Sequence, residues 1–228
     1  KLADALVARY QKDHDAAPRH VALYWMANDI MWSDGEVMAQ VLDLLGCEPV
    51  WDAAHRVTGF RVVPVHELRR PRIDVTVRVS GITRDNFPNC IELVDEAIQA
   101  VAALDEPPEV NALRGHVLES LRRQGSAETD PDAMRKATYR IFAAQPGSYQ
   151  AGVQLAVYAS AWKEENDLAD IFIYWNGYAY GKGSYGVAAH RSLRDTLQTV
   201  DLTYNKTATD ESDLFGCCCY FGTHGGMT

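Results

Sequence analysis

IDVTVRVS, residues 73–80, decides the fold. Ile73, Val75, Val77 and Val79 alternate with Asp74, Thr76, Arg78 and Ser80, the period of two that a strand imposes. Its second face is unusually polar for an interior strand. GITRDN (81–86) follows as a loop, and a helix then starts with Pro88 in its first turn and carries Ile91, Val94, Ile98 and Val101 along one side. Upstream, HVALYWM (20–26) is an apolar run suited to a buried strand, and it empties into a polar loop of Ala27, Asn28 and Asp29. The next helix is opened by a capping box of Ser33 and Glu36, striped by Val37, Val41, Leu44 and Leu45, and closed by Gly46. Strands alternating with amphipathic helices imply an α/β fold, a parallel sheet with flanking helices, because parallel strands need crossover connections. EPVWD (48–52) reads as a further strand, and Pro64 keeps GFRVVPV (59–65) at an edge.

Between residues 105 and 199 the pattern turns helical. NALRGHVLESLRRQG, DPDAMRKATYRIFAA and GVAAHRSLRDTLQT have helical spacing, and IFIYW alone suits a strand. VDLTYN (200–205) returns to strand character and leads into the polar loop KTATDESD. The expected organisation is a single unit over 1–228 in which 1–104 and 200–228 form the sheet part and 105–199 is a helical insertion.

Bulk properties narrow the function. The 228 residues carry 22 Lys and Arg against 31 Asp and Glu, a net charge of −9. Scattered basic residues in an acidic chain exclude a nucleic-acid surface, and no run of 18 apolar residues offers a membrane span. Five cysteines, at 47, 90, 217, 218 and 219, form no even framework, and the apolar settings of Cys47 and Cys90 suit reduced thiols in the cytoplasm. The chain opens at Lys1 directly into a helical pattern and stops after HGGMT, as expected of a piece of a longer polypeptide.

Open parallel sheets bind ligands at the carboxyl ends of their strands. Three loops would converge there, offering Asn28 and Asp29, then Arg84 and Asp85, then Lys206, Thr207 and Asp210; solvated polar loops would look the same. GKGSYG (181–186) matches GxGxxG and would suit a dinucleotide, but NGYAY separates it from the apolar run and Asp201 begins its strand instead of ending it. DEPPEVNALRGHV (105–117) is denser in chemistry. Glu109 and His116 have the groups to remove protons from a nitrogen acid or hold a divalent ion, and they equally suit a first-turn dipole partner and a partly buried helix residue. Arg140 faces a similar choice between a substrate carboxylate and an ordinary salt bridge.

Five segments occur in an informative order: RPRIDVTVRVSGITRDNFPN, LDEPPEVNALRGHV, ATYRIFAAQPGSYQAGVQ, WNGYAYGKGSYG and DLFGCCCYFGTHGGM. Together they resemble the large subunit of ATP-dependent cobaltochelatase, the CobN type, and more weakly its relative the magnesium chelatase H subunit. The resemblance implies a large tetrapyrrole-binding subunit that inserts Co2+, as substrate metal, into a corrin precursor during cobalamin synthesis. An AAA+ ATPase subunit, carrying ATP and Mg2+, and an integrin-I-domain subunit would be its partners. Pyrrole nitrogens must lose protons as the metal enters, and peripheral carboxylates or amides must be held. The matching segments therefore nominate Glu109 and His116 as catalytic, Arg84, Asn111, Arg114 and Arg140 as substrate-binding, and His224 as a metal ligand. A family motif of the form HGxxExxPGK is absent from this chain, which implies that the piece is inactive alone. A noncatalytic tetrapyrrole- or partner-binding module of a chelatase homologue is the alternative.

Cys217, Cys218 and Cys219 stand where relatives resembling DLLDSDDYYQFHGGM carry Ser-Asp-Asp. Adjacent residues point in divergent directions, so three consecutive thiolates do not converge on one ion without severe distortion. Small apolar packing is the simpler reading, and a partial site with His224 is the other.

Overall fold

Pairing about the 73–80 strand builds the sheet. The computed structural model describes residues 1–206. The elements in chain order are α1 (Leu2–His14), β1 (His20–Trp25), α2 (Ala27–Trp32), α3 (Glu36–Leu45), β2 (Cys47–Trp51), β3 (Val57–Val62), β4 (Asp74–Val79), α4 (Gly81–Asn86) and α5 (Pro88–Ala102). There follow α6 (Ala112–Gln124), α7 (Pro131–Ala137), β5 (Ile141–Ala143), α8 (Val153–Tyr158), α9 (Glu165–Asn176), β6 (Tyr178–Gly181), β7 (Ser184–Ala188), α10 (His190–Leu197) and β8 (Leu202–Asn205). Six strands form one sheet in the order β7-β6-β5-β4-β1-β8. β5, β4, β1 and β8 run parallel; at one edge β6 runs antiparallel to β5, and β7, antiparallel to β6, returns to the common direction. The α/β reading therefore holds.

Every residue of β1 and β4 is buried. On one face Val21, Leu23, Trp25, Val75, Val77 and Val79 pack with α1, α3 and α5 in the main core. The other face, which includes Tyr24, meets a second apolar cluster from α8, α9 and α10. The polar residues of β4 lie on that second face, and each has a partner: Arg78 Nε, for example, donates to Asn176 Oδ1 at 3.1 Å. No helix among the described residues is long and apolar enough to cross a membrane.

Several local expectations are corrected. Ala27, Asn28 and Asp29 open the helix α2 and are not a loop. Buried Asp29 accepts from Trp25 Nε1 at 3.0 Å and from the Val37 amide at 3.0 Å, so it caps α3 from the preceding helix. The Ser33–Glu36 capping box does not form, because α3 starts from Gly35 in the left-handed region with no capping side chain of its own. GITRDN is the helix α4, capped by Ser80, whose Oγ accepts from the Thr83 amide. β2 and β3 pair as a separate antiparallel ribbon.

The stretch 105–199 is not purely helical, since β5, β6 and β7 come from it and extend the sheet. These strands have three to five residues, too few for alternation to register. IFIYW belongs to α9. GKGSYG is the turn and flanks of the β6–β7 hairpin, so its glycines serve a turn and no phosphate-binding strand-to-helix junction exists there. A Cβ on Gly181 would strike the Asp95 carboxylate, which is already held by Arg135 (3.0 and 2.9 Å) and by the Lys182 amide (2.9 Å). Gly183, at φ +69°, has open space around it.

These two glycines give a graded test. Gly181→Ala should cost roughly 2–3 kcal/mol through displaced buried Asp95, and Gly183→Ala about 1 kcal/mol of backbone strain. Urea unfolding of both variants checks the order, and equal losses would contradict it.

Candidate functional site: a buried carboxylate beneath a basic pocket

His20 and Asp74 are the first residues of neighbouring parallel strands and stand level in register. Asp74 is fully buried. Arg140, just before β5, meets it with both prongs, Nε to Oδ1 at 2.8 Å and NH2 to Oδ2 at 3.0 Å. His116 from α6 adds Nδ1 at 2.8 Å from Oδ2. Burial on its own would raise the Asp74 pKa, but the Arg140 charge and the hydrogen bonds from His116 and Arg140 outweigh it and hold the carboxyl well below the usual range. An ionised carboxylate only accepts, so His116 must donate through Nδ1, and in its neutral form Nε2 keeps its lone pair.

His20 is equally determined. Burial, joined by the nearby Arg140 and His116, outweighs the pull of Asp74 and lowers its pKa to about 4, so the ring is neutral at physiological pH. The Thr199 hydroxyl donates to the Thr196 carbonyl, so it accepts from His20 Nδ1 at 2.8 Å, and the Thr76 hydroxyl donates to Nε2 at 2.9 Å. The ligating atoms of His20, Asp74 and His116 lie within 4.8 Å of one another. A cation there would face the Arg140 guanidinium and displace hydrogen bonds from Asp74 and His20. The arrangement suits positioning an imidazole better than binding metal.

His116 and Arg140 form part of the wall of a cavity of about 380 Å3, closed by the end of α6, the end of α7 and the β7–α10 junction. This pocket lies at the amino-terminal edge of the parallel strands, opposite the expected crevice. At the carboxyl edge, the space beside Asn28, Asp29 and Lys206 amounts to about 10 Å3. There Lys206 reaches Asp29 at 3.4 Å and Glu36 at 2.5 Å. Arg84 is buried, forks onto Asp85 and donates to the carbonyls of Ala144, Gln145 and Ser148, which holds that loop down. Asp85 is pulled to about 2, chiefly by its bond with Arg84.

The family model described as CobN/Magnesium Chelatase matches residues 1–228. The chain belongs to this family. It is 40% identical to the aerobic cobaltochelatase subunit CobN of Pseudomonas aeruginosa, covering 99% of this chain and 18% of that one. It is 36% identical to the chloroplastic magnesium-chelatase subunit ChlH of Oryza sativa, covering 96% of this chain and 16% of that one. The catalytic subunit of cobaltochelatase from Mycobacterium tuberculosis superposes with a TM-score of 0.93 at 39% identity, over 99% of this chain and 19% of that one. The chain thus spans less than a fifth of the length of these relatives.

Within this CobN/magnesium chelatase chain the sequence-nominated residues part ways. His116 and Arg140 meet at Asp74. Arg140 has four hydrogen bonds to protein, the other two to the Ala137 and Tyr139 carbonyls, so most of its fork is spent on the fold. Asn111 is fully buried as the cap of α6, accepting from the Arg114 amide and donating to Val101 O and Glu106. Arg114 pairs with Glu128 and the Ala102 carbonyl. Glu109 is exposed and outside the pocket lining. The neighbouring Glu106 is the structural carboxylate, gripping buried Arg72 at 2.7 and 3.0 Å. His224 and Cys217–Cys219 lie outside the described residues. Sequence reasoning missed His20, Asp74 and Thr199; the polar alternation along 73–80 was the available signal for Asp74.

Two measurements test this network. The folded state rejects a proton that unfolded His20 binds below its ordinary pKa of 6.5. Its stabilisation is therefore complete above pH 6.5 and lost as pH falls toward 4, worth about 3 kcal/mol across that window. His20→Gln should flatten this part of the stability–pH curve. Arg140→Ala, which strands the buried Asp74 charge, should cost roughly 3–5 kcal/mol in urea unfolding.

Proposed function

We propose that the chain is part of the large subunit of an ATP-dependent cobaltochelatase, inserting Co2+ into a corrin-type tetrapyrrole in cobalamin synthesis. In this reading it works in the cytoplasm with an AAA+ ATPase subunit, the site of ATP and Mg2+, and an integrin-I-domain subunit. Cobalt is favoured over magnesium because identity is 37–40% to the cobaltochelatase subunits and 32–36% to the magnesium-chelatase subunits. The observation that carries the chemical part is the His116 imidazole, oriented by Asp74 with Nε2 unbonded among the described residues and facing the pocket. Metal entry requires a ring nitrogen to give up its proton. Nε2 takes that proton, and the resulting imidazolium is stabilised by the Asp74 carboxylate. Arg140 keeps Asp74 ionised for this role. Asn111, Arg114 and Arg84 contribute by fixing α6 and the loop at 144–148, and Glu109 contributes little.

The test is cobalt insertion by the full-length subunit with its ATPase partners. His116→Gln should slow insertion about 10²–10³-fold with an unchanged circular dichroism spectrum, whereas Glu109→Gln should change it less than twofold. Wild-type subunit that inserts no metal into any corrin precursor would refute the reading.

A further inference from the structure

The pocket beside His116 is strongly basic in a chain whose net charge is −9. Arg123, Lys136, Arg140 and Arg191 line it, and Asp195 is its one carboxylate. Arg140 is balanced by the buried Asp74, but local acids leave the charge of the other three largely uncompensated. Lys136 has no ion pair among the described residues. Arg191 reaches Asp195 only at 3.8 Å, and Arg123 shares Glu119, at 3.5 Å, with the closer Arg122, at 2.7 Å. The first turn of α10 borders the same space, and its cap, Ala189, has no side-chain oxygen to satisfy the leading amides. The positive end of that helix dipole therefore adds to the side-chain charge. Ser120 and Ser192 supply hydroxyl groups, whereas the Thr196 hydroxyl is spent on the Ser192 carbonyl. Convergent cations, free amides and hydroxyls are the donor set for a carboxylate. A volume of about 380 Å3 takes more than one small anion and suits acidic side chains projecting from the edge of a larger ring.

We infer that this pocket holds peripheral carboxylates of the tetrapyrrole, with Lys136 and Arg123 as principal contacts; the identity of the ring rests on the function proposed above. Carboxylates seated between α6, α7 and α10 bring the ring edge to the side of the pocket that His116 occupies. Binding and proton removal thus share one wall. Because Lys136 and Arg123 are exposed and remote from the buried network, they can be changed without disturbing Asp74.

The experiment is a fluorescence titration of the full-length subunit with two probes. One is a porphyrin with free propionate side chains, and the other is the same ring with those propionates converted to neutral amides. The free acid should bind more tightly than the amide. The double variant Lys136→Glu/Arg123→Glu should weaken acid binding about tenfold or more and leave amide binding unchanged, and Lys136→Arg/Arg123→Lys should retain it. Equal affinity for acid and amide, or an unaltered acid affinity in the charge-reversed variant, would overturn the inference. In the cobalt-insertion assay the same variant should raise KM with little change in kcat. Wild-type subunit that binds the acid selectively but inserts no metal would refute the chelatase reading and leave the pocket standing. Normal insertion with unaltered KM in the charge-reversed variant would do the reverse.

Discussion

One ionised carboxylate, taken wholly out of water at the start of the central strand, sets the conditions for everything around it. Asp74 could not stay charged there without compensation, since an isolated buried charge costs several kcal/mol or more. Arg140 supplies it with a two-pronged contact, and in doing so anchors the end of α7 to the start of β5. The Arg140 carbonyl in turn accepts from the Val77 amide, so the same residue helps hold β5 beside β4. His116 completes the set from α6. A fold element, a charge balance and a tautomer are thereby fixed by a single group.

The two edges of the sheet have divided their labour. At the carboxyl edge Asp29, Lys206, Arg84 and Asp85 are polar residues that close on one another and on backbone carbonyls. At the amino edge the chain leaves an open, basic space above a buried hydrogen-bond network. The usual location of ligands in open α/β sheets follows from helix N-termini converging at strand ends. Here β7, reversed twice from β5 by way of β6, runs with the parallel strands, so α10 starts toward their carboxyl edge and runs back along the pocket to Thr199 beside His20.

The sequence made the sheet centre legible because β1 and β4 are long, apolar on one face and followed by striped helices. It left β5, β6 and β7 hidden: three residues of IFA have no period, and YAYG with SYGVA take their strand character from pairing with neighbours. IFIYW misled because a continuous apolar run has no period of its own, and length and context decide between strand and helix. At the site, His116 and Arg140 were singled out because they stand in dense polar motifs, and the structure brings both of them to Asp74. Glu106 and Glu109 are indistinguishable by type and spacing, and only the geometry shows that Glu106 turns inward to Arg72. His20 was hidden at the head of an apolar run, where nothing local announces that its partners are Thr199 and Thr76, contributed by distant parts of the chain.

The level start of β1 and β4 has a further implication for how this region tolerates insertions. His20, Asp74 and Thr76 share one face because both strands enter the sheet in step. Adding or deleting one residue within the entry to either strand would turn its alternate side chains over, presenting Val21 or Val75 to the basic space and driving a charge into the apolar layer. Length variation among homologues should therefore be found in the outer ribbon of β2 and β3, and be excluded from the few positions that lead into residues 20 and 74.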